Sequence, residues 1–134
     1  RDAFAGDRTP RHLTTREFTE RVRDVLVPGG LYLANCGDSR DLAGARAEAA
    51  TVGSVFDHLA LIADAAMFKG RRTGNIVIAG SDTPLDPSAS LVRTLLSDPL
   101  PAQILSGDRA REFARGEAAR GVAELEDRGR RAYD

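Results

Sequence analysis

The chain has 134 residues, of which 42% are apolar, 29% charged and 5% aromatic, with no tryptophan; this is the composition of a water-soluble domain with a modest core. Its 19 basic and 20 acidic residues nearly cancel, so no net field steers it toward nucleic acid or an anionic membrane. No apolar run approaches the roughly 20 residues that span a bilayer, and the lone Cys36 has no internal disulfide partner, which makes the cytoplasm the expected compartment.

Residues 1–12 lack periodicity and carry Gly6 and Pro10, so they read as a loop. The first helix follows. Thr14 and Glu17 have the spacing of a capping box, and Leu13 and Phe18 that of a hydrophobic staple. Phe18, Val22, Val25 and Leu26 then fall on one helical face. Pro28-Gly29-Gly30 ends the helix, because proline cannot continue it and glycine tolerates the turn.

Leu31–Asn35 is a short strand closed by Gly37-Asp38. From about Ser39 to Phe56 the positions Leu42, Ala45, Ala49, Val52 and Phe56 predict a second amphipathic helix, whose small residues suit close packing on a sheet. His58–Ala63 and Asn75–Ala79 are strands by their β-branched and leucine content. The ten residues between them are too few for a parallel crossover, which takes about a dozen or more, so the two strands pair antiparallel. Beyond Pro84, Asp86 and Pro87 predict a helix start, with Leu91, Val92, Leu95 and Leu96 on its face. Asp108 is placed to cap a shorter helix around Phe113, and residues 116–134 form a charged, helical tail. The whole is α/β: helix, strand, helix, then an antiparallel terminal hairpin, with helices packed on the sheet.

Read as chemistry, most polar residues have ordinary explanations. His12 lies before a helix cap with no second ligand at metal spacing, which leaves it a loop histidine. Asn35, Asp38 and Asp41 follow a strand's C-terminal end, where open α/β sheets bind ligands, although Asp38 is better placed as a helix cap. Asp64 ends a strand too. Arg71-Arg72 flanks a strand turn. Cys36 has no neighbouring base in sequence and reads as a structural thiol. Gly29, Gly30 and Gly37 serve turns, and no G-x-G-x-x-G phosphate cradle occurs. Lys69 is the one lysine among 19 basic residues, and the arginines are scattered instead of clustered, which argues against a nucleic-acid face.

One combination is more specific. Asp2-Ala3-Phe4-Ala5-Gly6, Pro10-Arg11-His12-Leu13-Thr14-Thr15-Arg16-Glu17-Phe18, Pro28-Gly29-Gly30-Leu31-Tyr32-Leu33-Ala34-Asn35 and Arg71-Arg72-Thr73-Gly74-Asn75-Ile76-Val77 together resemble the C-terminal half of bacterial spermidine synthase-like proteins. These are polyamine aminopropyltransferase relatives on the class I S-adenosylmethionine-dependent methyltransferase fold. The resemblance covers residues 1–115 and implies the C-terminal part of a Rossmann-like sheet.

It implies further that Asp2 is the catalytic acid that accepts a proton from an attacking amine, and that Asn35 and Asp64 contribute to substrate binding. Decarboxylated S-adenosylmethionine, or S-adenosylmethionine, would serve the intact protein but would not be held by these residues alone. The acceptor would be a polyamine such as putrescine. A methyltransferase of another small acceptor and a degenerate interaction module are the alternatives. Ala5, Thr19 and Asn35 stand where the family carries a second acid, an aromatic residue and a glutamine, and all three bear on which amine is accepted.

In the parent fold the strand at Leu31–Asn35 pairs on both sides, so an unpaired apolar edge here favours a homo-oligomer. Light scattering at micromolar concentration is expected to return the mass of a dimer or larger; a monomeric mass contradicts the expectation.

Overall fold

The computed structural model of the protein describes residues 1–115; the charged tail expected at 116–134 lies outside the described residues. After a 3-10 turn at Arg11–Leu13 the elements are α1 (Arg16–Val25), β1 (Tyr32–Asp38), α2 (Ala43–Val55), β2 (His58–Ala63), α3 (Ala65–Phe68), β3 (Gly74–Ser81), α4 (Ala89–Ser97), β4 (Gln103–Ser106) and α5 (Asp108–Ala114). Among the described residues, no helix is long and apolar enough to cross a membrane.

The four strands lie in the order β1-β3-β2-β4, and every neighbouring pair is antiparallel. β2 and β3 form the expected hairpin, and β3 inserts between β1 and β2, which therefore run parallel to each other. Strand periodicity sorts the side chains. Tyr32, Ala34 and Cys36 of β1 align with Gly80, Ile78 and Ile76 of β3, and Leu59 and Leu61 of β2 continue the Gly80 and Ile78 rows. This face packs on α2 and α5 and forms the core with Val52, Phe56 and Phe113. The other face, with Leu33, Asn35, Val77 and Ile62, is only partly covered.

Several boundaries differ from the sequence reading for local reasons. Thr15, not Thr14, caps α1: its hydroxyl accepts from the Phe18 amide at 3.1 Å. Thr14 is spent closing the 3-10 turn, donating its hydroxyl to the Arg11 carbonyl at 2.9 Å. α2 starts at Ala43 instead of Ser39, because Asp38 and Asp41 draw the preceding amides into a loop. That loop turns through Leu42, a buried leucine in the left-handed region at φ 58°. Ser88 displaces Asp86 as the cap of α4. β4 and α3 were not anticipated; four residues each are too short to show a period.

The close approach between α2 and the sheet is at Gly80. A Cβ there would stand 2.6 Å from Phe56 and 2.7 Å from Val52, so α2 lies on β3 only because this position has no side chain. Gly80→Ala is expected to cost about 1–3 kcal/mol through overpacking, read as a lowered urea midpoint. An unchanged midpoint would show that α2 can retreat freely.

Candidate functional site

The site is built on the outer edge of β1. The Arg1 backbone nitrogen donates to the Leu33 carbonyl at 2.6 Å, and the Arg1 carbonyl accepts from the Asn35 amide at 2.9 Å. Bonds to residues on either side of Ala34 make this one rung of a parallel ladder. The expected open edge is therefore covered at this point, while Leu31 and Leu33 beside it remain 47% and 45% exposed.

Arg1 is held by its side chain as well. Its guanidinium donates to the Leu13 carbonyl at 2.9 Å and the Asn35 carbonyl at 3.0 Å, and pairs with the carboxylate of Glu48 from α2. Both side chains of the pair are buried, at 6% and 4% exposure. Sequence reading gave no warning of Glu48, because an acid in an alanine-rich helix looks like a solvated face. Its flanking residues, Ala47 and Ala49, are in fact buried.

This anchoring fixes the next residue. Asp2 is exposed, and its Oδ1 accepts from the side-chain amide of Asn35 at 3.1 Å. Two of the three expected site residues thus meet across 33 positions of sequence. The amide oxygen of Asn35 is buried and has no protein partner among the described residues. Asp64 is engaged elsewhere: its Oδ1 accepts from the Met67 amide at 2.8 Å, capping α3, and its Oδ2 lies 3.4 Å from Arg72.

The remaining acids at the strand ends act as caps. Asp38 accepts from the Ser39 amide at 2.8 Å and the Ala45 amide at 2.6 Å. Asp41 accepts from the Ala43 amide and the Ser39 hydroxyl, and these two bonds hold its carboxyl below the usual range.

Next to Asn35 a cleft of about 650 Å³ opens between the loop at 7–14, the end of β1, the start of α2 and the start of β3. Gly37 lies in its wall, where a Cβ would stand 3.2 Å from Asn75 Oδ1 and 3.4 Å from the Phe4 ring. Arg8, Thr9 and Arg11 line the opposite wall. Sequence reading passed over these three. The one signal was a pair of arginines close together in the loop that follows Asp2.

No protein-family model and no curated protein matches the chain. Among solved structures, a probable spermidine synthase from Corynebacterium glutamicum matches with a TM-score of 0.84 and 48% identity over 90% of this chain. The chain is spermidine synthase-like. It spans 45% of that protein's length. The match agrees with the family resemblance drawn from the motifs.

Cys36 sits behind the cleft, 5% exposed. Burial pushes its thiol well above the ordinary value of 9.0, and the Glu48 carboxylate adds to the effect. Burial also raises the Tyr32 phenol above 10.0. An unfolded chain releases these protons at lower pH than the native one, so their contribution to stability is full below about pH 8 and is lost as pH rises from the ordinary thiol and phenol values toward the raised native ones. Each group contributes at most about 1.4 kcal/mol per pH unit. Urea midpoints are expected to fall between pH 8 and pH 10.5, less steeply in Cys36→Ala; equal slopes would mean that the thiol plays no part.

Proposed function

We infer that this chain is the acceptor-side part of a spermidine synthase-like transferase, one that moves an aminopropyl group from a sulfonium donor to the nitrogen of an amine. The observation that carries this reading is the Asp2–Asn35 pair at the end of β1. An attacking amine must shed a proton as it becomes a nucleophile, and a carboxylate within hydrogen-bond reach is the simplest acceptor. Asp2 is suited to this because only one of its oxygens is engaged by the protein among the described residues. Asn35 donates to that oxygen and so fixes the direction of the carboxylate.

The similarity to a probable spermidine synthase supports the reaction class and an amine acceptor. The donor is a separate matter. The described residues offer it no glycine-rich loop and no aromatic slab, so no step on the donor is assigned to them, and the chain by itself is not expected to bind decarboxylated S-adenosylmethionine.

The test is turnover by the full-length gene product with decarboxylated S-adenosylmethionine and a panel of amines. Asp2→Asn should lower kcat by roughly 10²–10⁴-fold, the usual contribution of a positioned base, with little change in thermal stability because Asp2 is exposed. Turnover that survives Asp2→Asn unchanged would remove the role assigned to this residue.

A further inference from the structure

The cleft that begins one residue beyond Asn35 on β1 holds a second, unassigned set of groups. Its carboxylates are largely committed. Glu48 neutralises Arg1, and Asp38 is bonded to two backbone amides. The arginines of its wall are not. Among the described residues, neither Arg8 nor Arg11 forms an ion pair, although Asp41 feels the charge of Arg8 from farther off. Between them in sequence, Thr9 carries a buried hydroxyl oxygen with no hydrogen-bond partner. A buried hydroxyl left unmade costs free energy that a bound acceptor would recover. The unpaired charges are thus the two guanidiniums and the exposed carboxylate of Asp7, joined by the Thr9 hydroxyl and by the Thr73 hydroxyl and Asn75 amide of the wall.

This is the complement of a zwitterion. A plain diamine, cationic at both ends, would set one ammonium against Arg8 and Arg11. A carboxylate suits the planar fork of an arginine, and Asp7 is placed to hold an adjacent ammonium. Along β1, Asn35 and Gly37 point to the same face and stand about 7 Å apart at the usual strand rise. One marks the amine site and the other the cleft. A diamino acid covers such a span, with its side-chain ammonium at one end and its carboxylate at the other.

We propose that the cleft lined by Arg8, Thr9 and Arg11 binds the carboxylate of an amino-acid acceptor, so that the amine presented to Asp2 belongs to a diamino acid and not to a simple polyamine. This rests on the transferase reading for its consequence, but the binding itself does not depend on turnover.

The test compares two probes that differ by one carboxylate, L-ornithine and putrescine, titrated into the 134-residue chain and followed by ¹H–¹⁵N NMR. Ornithine should bind at least ten times more tightly and shift the amides of Arg8, Thr9, Arg11 and Gly37. The double variant Arg8→Gln, Arg11→Gln should erase that preference. Both arginines are exposed loop residues, so the variant's dispersed spectrum verifies that it still folds. Putrescine binding as tightly as ornithine, an ornithine preference that survives the double variant, or no binding of either would overturn the proposal. Its failure alongside Asp2-dependent turnover leaves the transferase reading standing. A confirmed ornithine preference without Asp2-dependent turnover does the reverse.

Discussion

The buried ion pair between Arg1 and Glu48 is the constraint from which the site follows. Such a pair adds little net stability, because stripping water from two charges offsets most of their attraction. Its effect is geometric. One guanidinium reaches the Leu13 carbonyl before α1, the Asn35 carbonyl in β1 and the Glu48 carboxylate in α2. Three elements distant in sequence are thereby tied to the residue directly before Asp2. A planar donor with several N–H groups can do this; an ammonium on a flexible stem could not hold the same fork. Losing either partner would strand a buried charge, so the pair is far easier to keep than to dismantle one residue at a time.

The same economy explains why so few of the acids near the strand ends remain for chemistry. Asp38, Asp41 and Asp64 each spend their oxygens on backbone amides at the start of a helical segment, and Glu48 is spent on Arg1. Asp2 is different because it follows an anchored residue and precedes a loop, with no helix start of its own to satisfy. Its neighbour Asn35 donates to it from a side chain, not from a backbone amide.

How much of this could be read from the sequence depends on range. β2 was bounded correctly by its own composition, and the antiparallel β2–β3 pairing followed from the length of the connection alone. Periodicity gives the buried face of α2 and places Phe18, Val22 and Leu26 of α1 against the core, but Val25, expected on the same face, is 81% exposed. What failed was local competition. Two adjacent threonines could each cap α1, and only the preceding 3-10 turn decides between them. Asp38 and Asp41 could start α2 or delay it, and a buried leucine with positive φ is not a choice that propensity predicts. The contact of Asp2 with Asn35 joins two loop-and-strand residues with no shared motif. A resemblance suggested it, but periodicity could not. Arg8, Thr9 and Arg11 carry no periodicity, and their meaning depends on which neighbouring charges are already paired.

α4 stands apart from this tightly linked end. It has a hydroxyl cap at Ser88 and an apolar stripe, yet none of its residues is buried, and Leu96 is 53% exposed. Its tie to the sheet runs through the residue just before β4, where the Ala102 amide donates to the Leu95 carbonyl. Removing such a helix from its place exposes little surface that is not already wet, so α4 can open without the core opening. The two ends of the sheet therefore live under different rules. Near β1, a change in any of the three elements tied to Arg1 bears on the residue directly before Asp2. Around α4 the sequence is free to drift, lengthen or be cut while the other edge keeps its shape.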